Sequence, residues 1–364
     1  MRSREYWEER MIENELRSER SVLEHEKSLL ESYDYALVQI KKEIESFYQK
    51  YAKDNKVSYA EARRRLNAAE KKDFHTLLRE WYKLAQELGM SSDFKNKLQQ
   101  LGKRVYITRL EALEATIEYE IEKLKTNQYQ WVTDLMILNY KAGYYNSYFT
   151  VAQGLEISVN FATIDKMSME RTIKERWNGR NYSDSIWGDK DKLIDSISTI
   201  LPRSFSMGLN SKDLGDMIAK EMGTSKNRGR TLARTEINYL CNQSTLAVYK
   251  ACGIEYYEFL ATLDLRTSDI CRGMDGTTHK VSQAKVGVNY PPMHPNCRST
   301  TIPHIEDDDT LDRIARDEDG NNIKVPRRMS QEQWINEYVP EEDKEKLLRF
   351  NRKFKSTDDA AAEL

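Results

Sequence analysis

The chain has few cysteines and few prolines, four and seven respectively in 364 residues. It also lacks an excess of charge, because 57 basic and 59 acidic side chains leave a formal net charge of -2. Four scattered cysteines do not make a disulfide framework in a chain of this length, so we expect thiols or metal ligands. The charge balance argues against a protein that coats nucleic acid through bulk charge, and any DNA contact has to be local.

Long apolar runs are absent too, since no stretch approaches the roughly 18 consecutive apolar residues that span a bilayer. The first eight residues, MRSREYWE, have no apolar core of the kind that a signal peptide needs. We therefore expect a protein that is made and kept in the cytoplasm, without a membrane partner. Its hydrophobic content of 39% is sufficient for cores in two or three domains.

Residues 1–130 have the apolar spacing of long helices. In the first helix the repeat alternates between three and four residues, through Leu30, Tyr33, Leu37, Ile40, Ile44, Phe47 and Tyr51. This stripe indicates packing against a partner helix. Ser58-x-x-Glu61 is a capping box for a second helix, Gly89 ends a helix that begins near Asp73, and residues 110–124 predict another long helix. We predict an N-terminal helical arm or bundle.

Residues 131–204 are predicted to be a helical middle region rich in aromatic side chains, among them Trp177 and Trp187. Aromatic rings interleaved with arginine can stack on unpaired bases. Tyrosines at helical spacing more commonly bury their rings in a core. We interpret this region as packing, with base stacking as the alternative.

Residues 205–305 are predicted to be a small α+β module. Ser211 caps a helix over residues 212–222, Gly223 stops it, and Thr224 and Ser225 begin a second helix that runs to Cys252. The extended segments 254–262 and 298–303 predict short antiparallel strands. The expected fold class is therefore α+β and predominantly α-helical: a long helical arm or bundle, then a helical hairpin with short strands.

The second helix of this module has a basic row that includes Lys226 and Arg230. Such a row could contact DNA phosphates, or it could be a salt-bridged surface. Six charged residues are candidates for a buried polar network that fixes the turns of the module, since paired charges are tolerated there. They are Arg234, Glu236, Asp264, Arg266, Asp275 and Arg298.

Residues 306–364 are predicted to be a C-terminal extension. It has an acidic run at residues 307–309, a hairpin through residues 317–322, two short helices after Ser330 and a disordered end. The Asp-x-Asp-Gly of the hairpin resembles the start of a calcium loop, but Arg328 occupies the twelfth position, where an EF-hand needs a bidentate acid. We interpret the segment as a plain turn.

Two thiols and an imidazole near the end of the module could meet. His294-x-x-Cys297 lets two side chains of one tight loop reach a single zinc ion, Cys271 could come from a neighbouring turn, and His279 could be a fourth ligand. Paired knuckles are absent, because Ser268 stands where a Cys-x-x-Cys would begin and Ser299 where a Cys-Arg-Cys would end. The pattern predicts no cofactor, with a structural zinc as the alternative.

Several short motifs occur in the order typical of the Mu F-like phage head morphogenesis family, which this chain resembles. They are Gly208-Leu209, Ala233-Arg234-Thr235-Glu236, Ala261-Thr262-Leu263-Asp264-x-Arg266-Thr267, Asp275-Gly276 and Pro291-Pro292-x-His294-x-x-Cys297-Arg298. Further segments are similar to minor capsid proteins of phages and prophages of Gram-positive bacteria, from Ser3-Arg4-Glu5-Tyr6-Trp7 at the start to Ala315-Arg316-Asp317-Glu318-Asp319-Gly320.

This resemblance implies a protein of the procapsid or virion interior, made in the bacterial host cytoplasm and present in few copies at the portal vertex. It implies a role in procapsid assembly and in DNA packaging or delivery. The expected partners are the portal protein, a scaffold or coat protein, and non-specific DNA. No reaction is attached to the family, so we expect no enzyme and no catalytic residues.

The sequence leaves three other functions to consider. The main alternative is a zinc-dependent or Cys/His hydrolase built on Cys271, His294 and Cys297, but a base held by a third group cannot be identified. An ADP-ribosyltransferase is disfavoured, because residues 196–199 only loosely match a Ser-Thr-Ser strand and no Glu-x-Glu follows. A DNA-binding regulator is disfavoured by the neutral charge.

Overall fold

A computed structural model of the chain describes residues 4–155, 164–262, 264, 266–304, 312–316 and 322–326. Most of this part is helical. The helices are α1 (Arg4–Tyr51), α2 (Tyr59–Ala62), α3 (Ala68–Glu87), α4 (Ser92–Lys103), α5 (Arg109–Leu155), α6 (Lys166–Ile173), α7 (Tyr182–Met207), α8 (Ser211–Ala251) and α9 (Asp269–Met274). None of these helices contains a segment that is both long and apolar enough to cross a bilayer.

The strands form two small antiparallel sheets. They are β1 (Tyr256–Leu260), β2 (Thr278–Lys280), β3 (Thr300–Pro303), β4 (Asp312–Arg316) and β5 (Asn322–Pro326). β1 is central in the first sheet, with Tyr257 opposite His279 of β2 on one side and opposite Pro303 of β3 on the other. The predicted fold class, a predominantly helical α+β protein, is therefore confirmed.

The second sheet is the hairpin of the C-terminal extension. β4 pairs with β5, with Asp312 opposite Pro326 and Arg316 opposite Asn322. This pairing confirms a hairpin around the predicted position. The predicted acidic run, the turn residues 317–321, the two short helices after Ser330 and the disordered end lie outside the described residues.

The predicted seam between long helices is present. α1 buries Tyr33, Ile40, Ile44 and Phe47 of the predicted stripe, in one core with Leu110, Leu113, Ile117, Ile121 and Leu124 of α5. At two turns the buried residue precedes the predicted one, since Leu29 and Ala36 are buried while Leu30 and Leu37 are half-buried. Burial of such stripes stabilises the fold by about 25 cal/mol for each Å² of apolar area that is removed from water. α5 continues to Leu155, well beyond the expected end near residue 130, so the middle region begins inside a helix.

The helix after the first loop begins earlier than predicted. Its N-cap is Asn67, whose side chain accepts a hydrogen bond from the Glu70 amide, while the Glu70 carboxylate accepts one from the Asn67 amide. This is the reciprocal pairing of a capping box. The start near Asp73 was therefore wrong by five residues, because the reciprocal bonds between Asn67 and Glu70 satisfy two amides at the observed start. The predicted end is correct, since Leu88 is the C-cap and Gly89 has φ of 67°.

The predicted break of the helical hairpin at Gly223 is wrong. α8 runs without interruption from Ser211 to Ala251, and the turn of the hairpin lies before it. Gly208 caps α7 with φ of 65° and ψ of 35°, and the side chain of Asn210 accepts a hydrogen bond from the Asp213 amide at the start of α8.

The reason for the continuous helix is its apolar stripe, which keeps its phase across Gly223. The buried positions are Leu214, Ile218, Met222, Ser225, Ala233, Ile237 and Leu240. A glycine inside a helix costs about 1 kcal/mol relative to alanine, whereas each buried side chain of the stripe contributes about 1.5–3 kcal/mol. Burial of the stripe outweighs the local preference of glycine to end the helix.

Two glycine substitutions distinguish these positions. Gly223→Ala is expected to raise the free energy of unfolding by about 0.5–1 kcal/mol, because an added Cβ meets nothing within 4 Å and the backbone is helical. Gly208→Ala is expected to lower it by about 1–2 kcal/mol, because alanine is strained in the left-handed region. Urea denaturation of both variants checks the assignment. A destabilising Gly223→Ala would mean that the helix ends there after all.

The described residues belong to two compact units, each discontinuous along the chain, whereas the predicted regions are consecutive segments. Unit 1 comprises Met1–Leu23, Leu135–Gly179 and Ala233–Leu364, and unit 2 comprises Glu24–Asp134 and Arg180–Leu232. The core of unit 1 includes Trp7, Tyr148, Tyr249, Tyr257 and Tyr290.

Two hydrophobic cores lie among the described residues of unit 2. One is the α1–α5 seam with Leu193, Leu201 and Phe205 of α7. The other joins α3 and α4 to α5 through side chains that include Phe74, Trp81, Phe94, Leu98 and Tyr119. Trp81 and Tyr119 stack with their ring centroids 4.8 Å apart.

Candidate functional site

The candidate site of unit 1 lies where short loops connect α9 and the sheet. Ser268 is the N-cap of α9, and its hydroxyl accepts a hydrogen bond of 3.3 Å from the Cys271 amide, which fixes Cys271 in the first turn. His294 and Cys297 come from the loop before β3. That loop closes with a hydrogen bond of 3.2 Å from the Cys297 amide to the His294 carbonyl. Asn296 between them has φ of 59°, which asparagine tolerates better than most residues.

Three side chains from these loops meet. Cys271 Sγ lies 3.2 Å from His294 Nε2 and 3.7 Å from Cys297 Sγ. The three potential ligand atoms all lie within 4.8 Å of one another. Both cysteines are 2% exposed, and His294 is half-buried. We refer to Cys271, His294 and Cys297 as the Cys/His cluster.

The electrostatics of the Cys/His cluster favour a thiolate at Cys297. The Cys271 thiol donates to Cys297 and lowers its pKa; burial acts in the opposite direction, but His294 adds to the lowering, so the net shift is well below the ordinary value. The interaction with Cys297 in turn raises the pKa of His294, although burial opposes it. A buried thiolate beside an imidazole can act as a metal ligand or as a nucleophile.

The predicted fourth ligand, His279, lies elsewhere on β2. Its Nε2 is 2.8 Å from the Thr277 hydroxyl, and its ring packs against Tyr257 with the centroids 5.7 Å apart. Among the described residues, the group with metal-ligand spacing contains only the three members of the Cys/His cluster. The structure therefore brings together three of the four predicted ligands, and metal binding itself stays a prediction.

Two of the predicted charged residues form a direct ion pair. Asp264 and Arg298 make a two-point ion pair, with Arg298 Nη1 2.5 Å from Asp264 Oδ2 and Nη2 2.6 Å from Oδ1. Asp264 also accepts hydrogen bonds from the Thr267 hydroxyl at 3.1 Å and the Arg266 amide at 2.9 Å. Burial raises the pKa of Asp264, but Arg298 and Arg266 lower it by more, so the net shift is downward. The pair fixes the turn that leads into α9.

The other members of the predicted set have different roles. The Arg266 side chain is 65% exposed and contributes to this turn mainly through its amide. Asp275 accepts a hydrogen bond of 2.8 Å from the Ala261 amide and so ties the end of α9 to the chain after β1. Arg234 is half-buried on α8, and Glu236 is buried on the same helix.

Glu236 belongs to an aromatic group that sequence reasoning missed. The Trp177 indole donates a hydrogen bond of 3.2 Å to the Glu236 carboxylate, and the Trp177 ring stacks on Tyr239 with the centroids 5.0 Å apart. The Tyr239 hydroxyl donates to Glu175 at 2.8 Å. Burial raises the pKa of Glu236 to about 7, despite the opposing hydrogen bond from Trp177. No local signal could reveal this contact, because 59 residues separate the partners.

Glu236 makes the stability of unit 1 depend on pH. Because its folded pKa of about 7 exceeds that of an ordinary glutamate, the folded state binds more protons between about pH 4.5 and pH 7, and stability falls as the pH rises through this window. Glu236→Gln keeps an acceptor for Trp177 and is expected to remove this slope, with a gain of about 3 kcal/mol above the window. Urea midpoints between about pH 5 and pH 8 measure the effect.

Glu170→Gln is the matched control, since Glu170 is exposed on α6 of the same unit. The control is expected to leave the pH slope unchanged. An unchanged slope in Glu236→Gln would show that the carboxylate ionises normally in the folded chain.

The two candidate phosphate contacts lie in unit 2 and are paired with carboxylates. Lys226 Nζ is 2.8 Å from Asp34 Oδ1, and Arg230 Nε contacts Glu26 Oε1. DNA phosphates would have to compete with these carboxylates. The phosphate contact therefore stays a prediction, with the salt-bridged surface supported by the observed pairs.

A buried lysine in unit 2 was also missed. Lys125 is fully buried on α5, and its Nζ lies 2.8 Å from Asp189 Oδ2, 2.9 Å from Ser225 Oγ, 3.1 Å from Gln128 Oε1 and 2.5 Å from the Tyr33 hydroxyl. We refer to these five residues as the Lys125 cluster. The signal in the sequence is weak, because Lys125 directly follows Leu124 of the apolar stripe. A lysine in that place is not distinguishable by spacing from a charged residue at the exposed edge of the stripe.

The first residues of α1 are part of unit 1, which sequence spacing did not reveal. Arg4 Nη1 is 2.5 Å from Glu258 Oε2 of β1, and Arg4 Nε is 2.5 Å from Glu8 Oε1. The Trp7 ring occupies the space beside Gly154 of α5, where an added Cβ would lie 2.2 Å from the ring. The start of the chain is therefore built into the unit that contains the Cys/His cluster.

The fold and the site together define a class of protein. It is a mainly helical α+β protein with a small antiparallel sheet, and the loops of that sheet contain a buried ion pair and the Cys/His cluster. Residues 195–302 match the family described as Phage Mu protein F like protein. The match confirms the Mu F-like resemblance inferred from the motifs for this part of the chain, and we refer to residues 195–302 as the Mu F-like domain. The domain contains α8, β1, β2, all but the last residue of β3, and the whole Cys/His cluster. No curated protein and no solved structure is significantly similar to the chain.

Proposed function

We propose that the protein is a minor capsid protein of a tailed phage or prophage of Gram-positive bacteria, acting at the portal vertex in procapsid assembly and in DNA packaging or delivery. The observation that carries the proposal is the family match over residues 195–302, which supports a role in phage head morphogenesis. The place of action is the interior of the procapsid, and the partners are the portal protein, a scaffold or coat protein, and DNA without sequence preference.

We propose a structural role for the Mu F-like domain and no catalysis. A Cys/His hydrolase needs a sulfur that reaches its substrate. Cys271 and Cys297 are each 2% exposed and lie among Phe259, Ala261 and neighbouring methionines. A buried pair of sulfurs in an apolar shell is better suited to holding two loops together than to attacking a substrate.

The experiment is to delete the gene from the phage or prophage and to supply the full chain from a plasmid. We expect the protein in purified procapsids at a few copies per portal, and we expect particles made without it to package or deliver less DNA. Quantitative mass spectrometry of procapsids and mature particles gives the copy number. Absence of the protein from particles at every stage of maturation would overturn the proposal.

A second arm separates DNA contact from incorporation into the particle. Lys226→Gln with Arg230→Gln removes two paired surface cations of unit 2 and is expected to leave incorporation unchanged. If DNA contact depends on these cations, the amount of packaged DNA falls while the copy number stays the same. Loss of both would assign the pair to docking or to folding.

A further inference from the structure

We propose that Cys271, His294 and Cys297 hold one Zn²⁺ ion, which joins α9 to the loop before β3. This inference goes beyond the proposed function, because it concerns how the domain is held together and not where it acts. The three side chains come from two segments that are separate in sequence, since Cys271 and His294 are 23 positions apart. A metal ion at this point would hold α9 and the loop before β3 together.

The distances fit tetrahedral zinc. With a Zn–S bond of about 2.3 Å and a Zn–N bond of about 2.0–2.1 Å, two ligand sulfurs lie about 3.8 Å apart, and a sulfur and a nitrogen about 3.5 Å apart. The observed separations are 3.7 Å between the two sulfurs and 3.2 Å between Cys271 Sγ and His294 Nε2. A disulfide would require about 2.05 Å between the sulfurs. The cluster therefore has the separation of two thiolates that share a metal.

The surroundings also fit. The second nitrogen of His294, Nδ1, lies 2.8 Å from the Pro295 carbonyl. A backbone acceptor at that distance holds the proton on Nδ1 and leaves the Nε2 lone pair facing the sulfurs, which is how metal-ligating histidines are oriented. The sulfurs lie in an apolar shell of Phe259, Ala261, Met274 and Met293 that keeps competing water away.

The fourth coordination position of the zinc ion would be filled by an oxygen atom. The Ser268 hydroxyl lies 2.7 Å from His294 Nε2 and thus borders the place where the ion would lie. Serine is a poor zinc ligand, so this oxygen is Ser268 or a water molecule that it orients. Two thiolates and an imidazole select zinc over magnesium or calcium, which prefer oxygen ligands.

The first test measures metal in the full-length chain, purified under reducing conditions from zinc-supplemented cells. We expect about one zinc ion per chain, lost in Cys271→Ser and in Cys297→Ser. Cys252→Ser is the matched control, because Cys252 is a half-buried thiol of the same unit outside the cluster. The control should keep its zinc. A wild-type chain without zinc, or a control that loses as much as the cluster variants, would overturn the proposal.

Cobalt substitution tests the ligands without any variant, so it stays informative if the serine variants fail to fold. Co²⁺ in the wild-type chain should give the thiolate charge-transfer band and the intense visible bands of a tetrahedral site with two sulfurs. A pale, octahedral spectrum would overturn the proposal. So would a Cys271–Cys297 disulfide found by mass spectrometry in the chain as purified under these reducing conditions.

Ser268→Cys tests the fourth position. This change adds a third thiolate at the N-cap of α9 and should tighten zinc binding by about tenfold or more in competition with a chelator. Ser147→Cys is its control, since Ser147 is buried in the same unit on α5, where its hydroxyl is hydrogen-bonded to Thr245. Equal effects of the two changes, or none from Ser268→Cys, would contradict the geometry. None of these results depends on incorporation into phage particles, so the function and the metal site are tested separately.

Discussion

Asp189→Ala is expected to lower the free energy of unfolding of unit 2 by about 3–5 kcal/mol, because it leaves the ammonium group of Lys125 buried without a counter-charge. Lys125 is fully buried, and the Asp189 side chain is 10% exposed. Burial raises the pKa of Asp189, but Lys125 and its neighbours lower it by more. The carboxylate is therefore charged in the folded state. Urea denaturation followed by far-ultraviolet circular dichroism measures the loss.

The matched control is Asp191→Ala on the same helix. Its side chain is 69% exposed and lies 3.7 Å from Lys190, so its removal should change stability by less than about 1 kcal/mol. Adding Lys125→Met to Asp189→Ala is expected to recover part of the loss, because the unpaired charge is removed as well. Equal losses from Asp189→Ala and Asp191→Ala would show that the Lys125 cluster contributes no more than a surface pair.

Arg298→Ala is expected to lower the free energy of unfolding of unit 1 by about 3–5 kcal/mol and to reduce assembly, because Asp264 then remains buried without its two-point partner. The pKa of Asp264 is below its ordinary value in the folded state. The stabilisation by the pair is therefore present above the ordinary pKa of aspartate and is lost as the pH falls below it. Arg298→Ala should remove this part of the acid sensitivity.

Arg266→Ala is the matched control for Arg298→Ala. The Arg266 side chain is 65% exposed, and its closest carboxylates are 3.7 Å away in Glu19 and 3.9 Å away in Asp264. Its loss should cost less than about 1 kcal/mol, since the amide that binds Asp264 remains. From the sequence, Arg266 and Arg298 were both candidates for the buried polar network of the module. Similar losses from Arg266→Ala and Arg298→Ala would restore that expectation and contradict the observed geometry.

Local patterns predicted the helices and strands well where one face is buried. The three-and-four spacing of α1 and α5 follows from the helical repeat, and the β-branched residues before Pro303 mark β3. The Cys/His cluster was predicted in part, because His294 and Cys297 are close in sequence and Cys271 was paired with them by chemistry. His279 was added on chemistry alone, and the structure places it beside Thr277.

Local patterns were insufficient where several weak signals competed. Gly208 and Gly223 both follow apolar positions, and a glycine in either place could end a helix. The buried stripe of α8 decides between them, since ending the helix at Gly223 would expose side chains that are otherwise in the core. The preference of one residue is worth about 1 kcal/mol, and tertiary packing exceeds it.

The order of residues along the chain was thus enough to establish the helical α+β class, the Mu F-like motifs and the meeting of Cys271, His294 and Cys297 as a hypothesis. The pairing of Asp264 with Arg298, of Lys125 with Asp189 and of Glu236 with Trp177 became known only from the folded chain. Each of these contacts joins residues 34 or more positions apart. Periodicity and spacing predict the neighbours of a residue along one helix or strand. The partner of a buried charged residue, in contrast, comes from another element that packs against it in the folded chain.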